Sequence, residues 1–420
     1  MFLEKGYLTG KKHKILIGFD LRDTTSQISF CYPDEGEPET VSGAEGEERY
    51  DFPTAVARRP GVNHWSCGQE AVKLAEDGGV LVSGLLTLAL EGGEVKVGEE
   101  TFDPVALLAL FIRQSLSLLG TDFTPGQAEV LTITVEELDQ RTAQVLEQAA
   151  LLMQLPMTCI LLQSYAESFY QYMIHQPREL WMGQAFACEY EGDGLKTYRM
   201  ECNRRTTPIV ALIAEKEYPD WEREDAGLLR ILEESCRGRV ISSAFLVGRG
   251  FEGDWYQESL RYLCRGRRVF RGNNLYSKGA CYGAREKRMP GEVGKAHVYL
   301  GKDTLKANLG MRVLRGGVES YYALLDAGMS WHEAEKQCEF YLESGNSFSI
   351  QITPLTGKES REVEIILNDL PPRSERATRI QMRLSMESEQ DVSITLEDLG
   401  FGEIYPATHR IWHEELRLSD

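Results

Sequence analysis

The apolar period of this chain changes once, near residue 290, and that change divides what its two parts can fold into. Before it, short buried runs such as KILIGF, VLTITV and VISSAFLV alternate with stretches spaced like amphipathic helices, the order of an α/β architecture. After Pro290, Gly291 and Gly294 the period becomes two: SFSIQITPL, EVEIILNDL, TRIQMRLSM and DVSITLEDL alternate apolar and polar residues. That spacing predicts an antiparallel sandwich with one buried face per sheet, interrupted by one helix over roughly 330–341. With 420 residues, the chain has room for two or three domains.

In the first part, two strands around Ile15–Phe19 and Ile28–Phe30 flank a polar turn. Residues 34–51 hold eight acids against one Arg and predict a solvated loop. Helical spacing covers 69–76 and 103–119, with Asp103 before Pro104 as an N-cap and first-turn proline. A strand at 130–135, a helix at 138–154, a strand at 158–162 and a helix at 164–174 follow. QAFACEYE-GDG-LKTYRMEC then predicts a hairpin. Further strands are expected at 209–215 and 240–247, and helices at 221–236, 255–263 and 275–284. Residues 182–285 thus give β-β-β-α-β-α, and residues 14–174 a looser version of the same order.

Lys plus Arg total 46 against 65 Asp plus Glu, a net charge of −19, which disfavours general adhesion to nucleic acid or anionic membrane. No apolar run reaches the roughly 18 residues of a spanning helix, and the start MFLEKGYLTGKKHK is too polar for a signal peptide. Nine cysteines stand singly, with no CxxC, so reduced thiols in a cytoplasmic protein are expected.

Two β-β-β-α-β-α halves followed by an all-β module resemble the actin-like ATPase superfamily, and specifically the DnaK-type heat-shock chaperones. IGFDLRDTTSQ is similar to the first phosphate loop of that family. DFPTAVARRP with CGQEAVKLA, LTITVEELDQRTAQVLEQAALLMQL, SAFLVGRGFEGDWYQESL and NNLYSKGACYGA resemble its later segments. LNDLPPRSERATRIQMRLSMESEQDVSITLEDLGFGE is similar to the chaperone sandwich. The chain also resembles a group of uncharacterised bacterial DnaK-like proteins. The resemblance implies two ribonuclease-H-like lobes, about 1–174 and 175–289, followed by a peptide-binding β-sandwich over 290–420. Only 59 residues separate Glu189 from Gly248, so the second lobe lacks the outer clamp subdomain.

Carried over residue by residue, the resemblance implies nucleotide-binding candidates Asp20, Arg22, Thr24, Thr25, Gly248 and Gly250, with Asp20 catalytic only if the site is active. Where the family has Gly then Thr, this chain has Arg22 and Asp23. A Cβ at Arg22 obstructs close approach of phosphate and Asp23 repels it, although Arg22 can itself pair with phosphate. The second phosphate loop becomes CEYEGDGLKTY, with Glu189 at the Asp position. SGLLTLAL offers no Lys where the family has its catalytic one, Ser164 replaces the magnesium-side Glu, and Glu167 lies one turn further. Asn273 and Asn274 are expected to cap the closing helix, with Ser277 at a family Asp position.

Leu324, Leu325 and Met329 are candidates for a peptide groove, or for core. His409 and His413 have a metal spacing if helical, without further ligands, and no metal site is assigned. Arg261, Arg265, Arg267, Arg268 and Arg271, extended by Arg285, Lys287 and Arg288, form a basic stretch with no recognised nucleic-acid motif. The expected function is a non-catalytic or weakly active DnaK-like scaffold that binds a protein or peptide through its sandwich, ATP and magnesium remaining open as cofactors. Two other functions stay open: an ATP-driven chaperone, and an RNA- or ribosome-associated factor acting through 261–271.

Overall fold

The computed structural model describes residues 14–33, 35–43, 50–120, 124–192, 194–355 and 359–418. The chain divides into Met1–His297 and Val298–Asp420; the segment after Pro290 and Gly291 is a short helix, Glu292–Ala296, of the first unit.

Two sheets of the first unit repeat one topology. The first contains β1 (Ile15–Leu21), β2 (Thr25–Tyr32), β3 (Glu35–Thr40), β4 (Ala128–Val135) and β5 (Ile160–Ser164) in the spatial order β5-β4-β1-β2-β3. The second contains β6 (Gln184–Glu191), β7 (Gly194–Asn203), β8 (Ile209–Tyr218), β9 (Ile241–Val247) and β10 (Arg268–Arg271) in the order β10-β9-β6-β7-β8. In each, the first three strands are antiparallel neighbours and the last two join in parallel. β1 is buried at every position because it is central in its sheet with both faces covered, which is why it reads as a continuous apolar run.

The helices that matter for the site are α1 (Pro104–Ser115), α2 (Gln140–Leu152), α3 (Tyr165–Ile174), α4 (Asp225–Cys236), α5 (Gln257–Leu263) and α6 (Leu275–Arg288). Asp103 caps α1, accepting from the Val105 amide at 3.0 Å ahead of Pro104. α3 and α6 each follow the fifth strand of a sheet and pack on the other sheet. Phe169 of α3 meets Tyr198 of β7 and Phe245 of β9, with ring centroids 6.5 and 6.3 Å apart. Cys281 of α6 donates to the Ser29 carbonyl at 3.1 Å and packs with Leu16 and Val130 of the first sheet. Glycine makes this exchange possible: a Cβ at Gly18 would lie 2.1 Å from the Ser277 carbonyl, and one at Gly279 2.0 Å from that of Ser168.

The second unit has two four-stranded antiparallel sheets. β11 (Ala307–Arg315), β12 (Val318–Leu325), β14 (Ser347–Pro354) and β15 (Arg361–Ile366) run in the order β12-β11-β14-β15; β13 (Glu335–Leu342), β16 (Thr378–Met386), β17 (Asp391–Gly400) and β18 (Ile411–Arg417) run in the order β13-β16-β17-β18. Asp398 of β17 is fully buried. Arg373 holds both of its oxygens at 2.6 and 2.7 Å, and Thr408 and the Gly400 amide add bonds.

Two sequence expectations fail here. The helix expected over 330–341 is a single turn at Trp331–Glu333 followed by β13. Trp331, Ala334, Cys338 and Tyr341 mimic helical spacing, but Cys338, Phe340 and Leu342 alternate inward once paired with β16, and that pairing overrides local preference. The acidic loop expected over 34–51 contains β3, paired with β2 through Ser29–Thr40 and Phe30–Glu39. As an edge strand it carries its acids Glu37 and Glu39 exposed, which blunts the open edge. Residues 44–49 of that stretch lie outside the described residues. No helix among the described residues is long and apolar enough to cross a membrane.

Candidate functional site

The repeated topology places two hairpins in equivalent register. Asp20 on β1 faces Gln27 on β2, and Glu189 on β6 faces Lys196 on β7. Each acid is answered by a tyrosine from the first turn of the helix that follows its own repeat. Tyr165 opens α3 and donates to Asp20 Oδ1 at 2.5 Å; Tyr276, the second residue of α6, donates to Glu189 Oε2 at 2.8 Å. The two rings stack with centroids 3.9 Å apart and planes 8° from parallel. All four residues are buried.

Arg22 enters this duplicated acid–tyrosine arrangement from the β1–β2 turn. Its Nη1 lies 2.6 Å from Glu189 and its Nε 3.6 Å from Asp20, while Glu191 stands 4.0 Å away. Its guanidinium lies 4.8 Å from the Tyr165 ring centroid and 5.6 Å from that of Tyr276, within cation–π range. Arg22 and Glu191 are themselves equivalent hairpin positions, so the two repeats carry opposite, mutually attracting charges there. Burial pushes the Asp20 carboxyl up to about 6, against the pull of Arg22 and the Tyr165 hydroxyl, with Glu189 adding to the rise. Two further bridges join the sheets. Lys196 reaches Glu136 at 3.2 Å and Glu137 at 3.4 Å just past β4, and Arg249 past β9 pairs with Asp51.

The recess beside Arg22 is lined by Asp20, Thr25, Gln27, Asp51, Glu191, Gly248, Arg249 and Asn273, and its cavity is about 20 Å³, room for about one water. Of the nucleotide-binding candidates named from the sequence, the structure thus brings Asp20, Arg22, Thr25 and Gly248 together. Thr24 is exposed and turns its carbonyl to the Thr54 amide at 3.1 Å. Asp23 points elsewhere, accepting from the Thr87 amide at 2.9 Å in the first turn of the helix Leu85–Glu91. That stretch is SGLLTLAL.

Gly248 and Gly250 have a packing reason to be glycine. A Cβ at Gly248, whose φ is +101°, would lie 2.2 Å from the Tyr190 carbonyl, and one at Gly250 2.1 Å from the Tyr190 ring. The Gly248 amide is bonded to Asn273 Oδ1 and the Arg249 amide to Glu191, both at 3.0 Å, so these donors are already engaged. The expected capping by Asn273 and Asn274 is corrected accordingly. Asn274 sits at the cap position of α6 but donates to Thr40 at 3.1 Å without capping, since both side chains are drawn into tertiary bonds. Ser277 pairs with Ser29 at 2.8 Å. Glu167 is half-buried, its amide bonded to Ser164 Oγ at 3.2 Å.

Leu324 and Leu325 are buried in the second unit, and Met329 is half-buried with its sulfur accepting from the Asp326 amide at 3.5 Å. His409 lies in a loop against Glu397 at 2.9 Å and His413 on β18 against Thr395 at 3.3 Å. The four-residue spacing thus falls on no helix, and among the described residues no group of three ligating side chains forms a metal site. Sequence reasoning missed Tyr165, Tyr276, Asp51 and Arg249. The available signal was a tyrosine in the first turn after the fifth strand of each repeat, visible only once the repeats are aligned.

Residues 304–418 match a domain of unknown function (DUF8552). No curated protein matches the chain. Residues 37–302, which include the second sheet, the last two strands of the first and the site residues Tyr165, Glu189, Glu191 and Tyr276 but not Asp20 or Arg22, match the family of unknown function DUF5716, C-terminal, and the chain belongs to that family.

Proposed function

We propose that this chain is a non-catalytic scaffold of the actin-like, DnaK-like kind, whose interlobe cleft is closed by its own arginine and whose β-sandwich binds a protein or peptide partner. The observation that carries this is Arg22, placed against Asp20 and Glu189 where a phosphate loop would leave space. Its guanidinium supplies internally the positive charge that a nucleotide's metal would bring. Asp20, Glu189, Glu191 and Asp51 surround Arg22 and Arg249, so a polyphosphate entering here meets more carboxylates than cations. A cavity of about 20 Å³ also falls far below the roughly 300–1,000 Å³ of small-molecule sites. The residues between Glu189 and Gly248 are taken up by β7, β8, α4 and β9, which leaves no separate clamp subdomain.

Partner binding is supported by large apolar side chains exposed on the second unit: Val318 is 68 % and Ile404 79 % exposed, and Tyr341 meets Phe401 with ring centroids 5.9 Å apart. All nine cysteines are free, which fits a reducing, cytoplasmic setting. Isothermal titration of the full chain with Mg-ATP is expected to give no binding up to about millimolar nucleotide, a free energy of about −4 kcal/mol. Micromolar binding, with turnover abolished in Asp20→Ala, overturns the proposal.

A further inference from the structure

One edge of the second sheet is opposite in sign to the net charge of the chain. Residues 260–272 hold five arginines and no acid, within a protein of net charge −19. They run from the end of α5 into β10, the edge strand of its sheet. Arg199 from β7 and Arg239 just past α4 lie near Arg267, and Arg199, in register through Phe186 and Ala244 with Val269, is on the sheet face opposite Arg268 and Phe270. Cys236, at the end of α4, is raised by its burial but lies in the joint field of Arg267, Arg239 and Arg199. The Arg199 guanidinium is held below its ordinary pKa, first by burial and then by the charge of Arg239, against the opposing charge of Glu201. Its Nε is buried without a hydrogen-bond partner.

Among the described residues, Arg199, Arg239, Arg265, Arg267, Arg268 and Arg271 form no ion pair. Arg239 bonds the carbonyls of Glu234, Ser235 and Arg237, and Arg267 that of Tyr262 at 3.2 Å. Glu201 beside Arg199, Glu179 in the adjoining recess and Asp225 beside Arg261 offset only part of this charge, and a bound anion relieves the remaining repulsion. Arginines on an edge strand also deter strand pairing, but that role does not account for Arg265 and Arg267, which precede the strand. Beside them opens a recess of about 410 Å³ lined by Glu179, Val240, Ser242, Cys264, Arg267 and Arg268. Phe270, 38 % exposed on β10 between Arg268 and Arg271, stacks on Phe245 with centroids 4.9 Å apart and planes 14° from parallel.

We propose that this arginine-rich edge binds single-stranded nucleic acid, with guanidiniums on the phosphodiesters and Phe270 as a stacking surface for a base. The planar guanidinium fork matches phosphate oxygens, and a base has a π-face for an exposed ring where an acidic peptide has none. The site is separate from the Arg22 cleft and does not depend on its occupancy.

The test is fluorescence anisotropy of the full chain with labelled oligouridylate of about 12 nucleotides, at salt from about 50 to about 200 mM. Binding is expected at the low end, with log K falling linearly in log salt. Charge reversal at Arg265→Glu, Arg268→Glu and Arg271→Glu together should weaken it at least about tenfold and flatten the salt slope by about 2. Phe270→Ala should weaken binding at least about fivefold with the slope unchanged. Circular dichroism checks folding, and the triple Arg→Gln variant carries the same expectation at the same exposed positions if charge reversal disturbs the fold. Absence of binding at low salt, indifference to the arginine variants, or tighter binding of labelled polyglutamate than of oligouridylate overturns the proposal.

Discussion

Arg22 shows how one side chain converts a cleft into a joint. Glu189 and Asp20 are buried acids, and removing the cation between them leaves charges that the interior does not solvate. Arg22→Ala is therefore expected to destabilise the first unit by about 3–5 kcal/mol, read as a drop in denaturation midpoint at unchanged m-value. A change indistinguishable from that of an exposed arginine such as Arg230 would show that the cleft is wet and the ion pair idle. Asp20 carries its own signature in pH. Its carboxyl, raised from 3.8 to about 6, keeps its proton longer in the folded than in the unfolded chain. Its contribution to stability is thus full below about pH 4 and lost as pH rises through about 6. Asp20→Asn should flatten the melting-temperature profile between those limits, and a profile parallel to that of the parent protein would mean that Asp20 ionises normally.

At the scale of elements, the exchange of α3 and α6 between the two sheets depends on backbones that touch. Gly279→Ala is expected to lower the melting temperature although alanine is the better helix former, because its Cβ meets the backbone carbonyl of Ser168. Gly283→Ala should cost less, since the atom met is the end of the Gln163 side chain, which can swing aside. Calorimetry of the two variants decides this, and equal costs would mean that the helix crossing yields as easily as a side chain. The failures of sequence reading occur at this scale too. Ser330–Tyr341 has spacing compatible with either period, and only β16 beside it makes it a strand. β3 is polar enough to read as loop and is a strand because β2 offers it an edge.

Across the whole molecule, the two units carry buried acids of opposite preference. Arg373, Thr408 and the Gly400 amide hold Asp398 well below the usual carboxylate range despite its burial, so the stability it gives the second unit is present above its unfolded pKa and is lost as pH falls. Asp20 in the first unit gains on the same change. Acidification below about pH 4 should therefore raise amide exchange first in Val298–Asp420, followed by hydrogen-exchange mass spectrometry. Simultaneous loosening of both units would show that other carboxylates dominate. Arg373→Ala should bring the same loosening at neutral pH.

The sequence by itself determined the two regimes of period, the hairpin of Gln184–Asn203, the cap at Asp103 and the candidacy of Asp20 and Arg22, because each is written in local spacing or in one residue's chemistry. Only the tertiary structure decided that Arg22 faces Glu189, that Tyr165 and Tyr276 stack from opposite repeats, and that Arg199 and Arg239 lie near Arg267. These groups are far apart along the chain, and what they do is fixed by burial and by the charge beside them, quantities that exist only once the sheets have exchanged their helices.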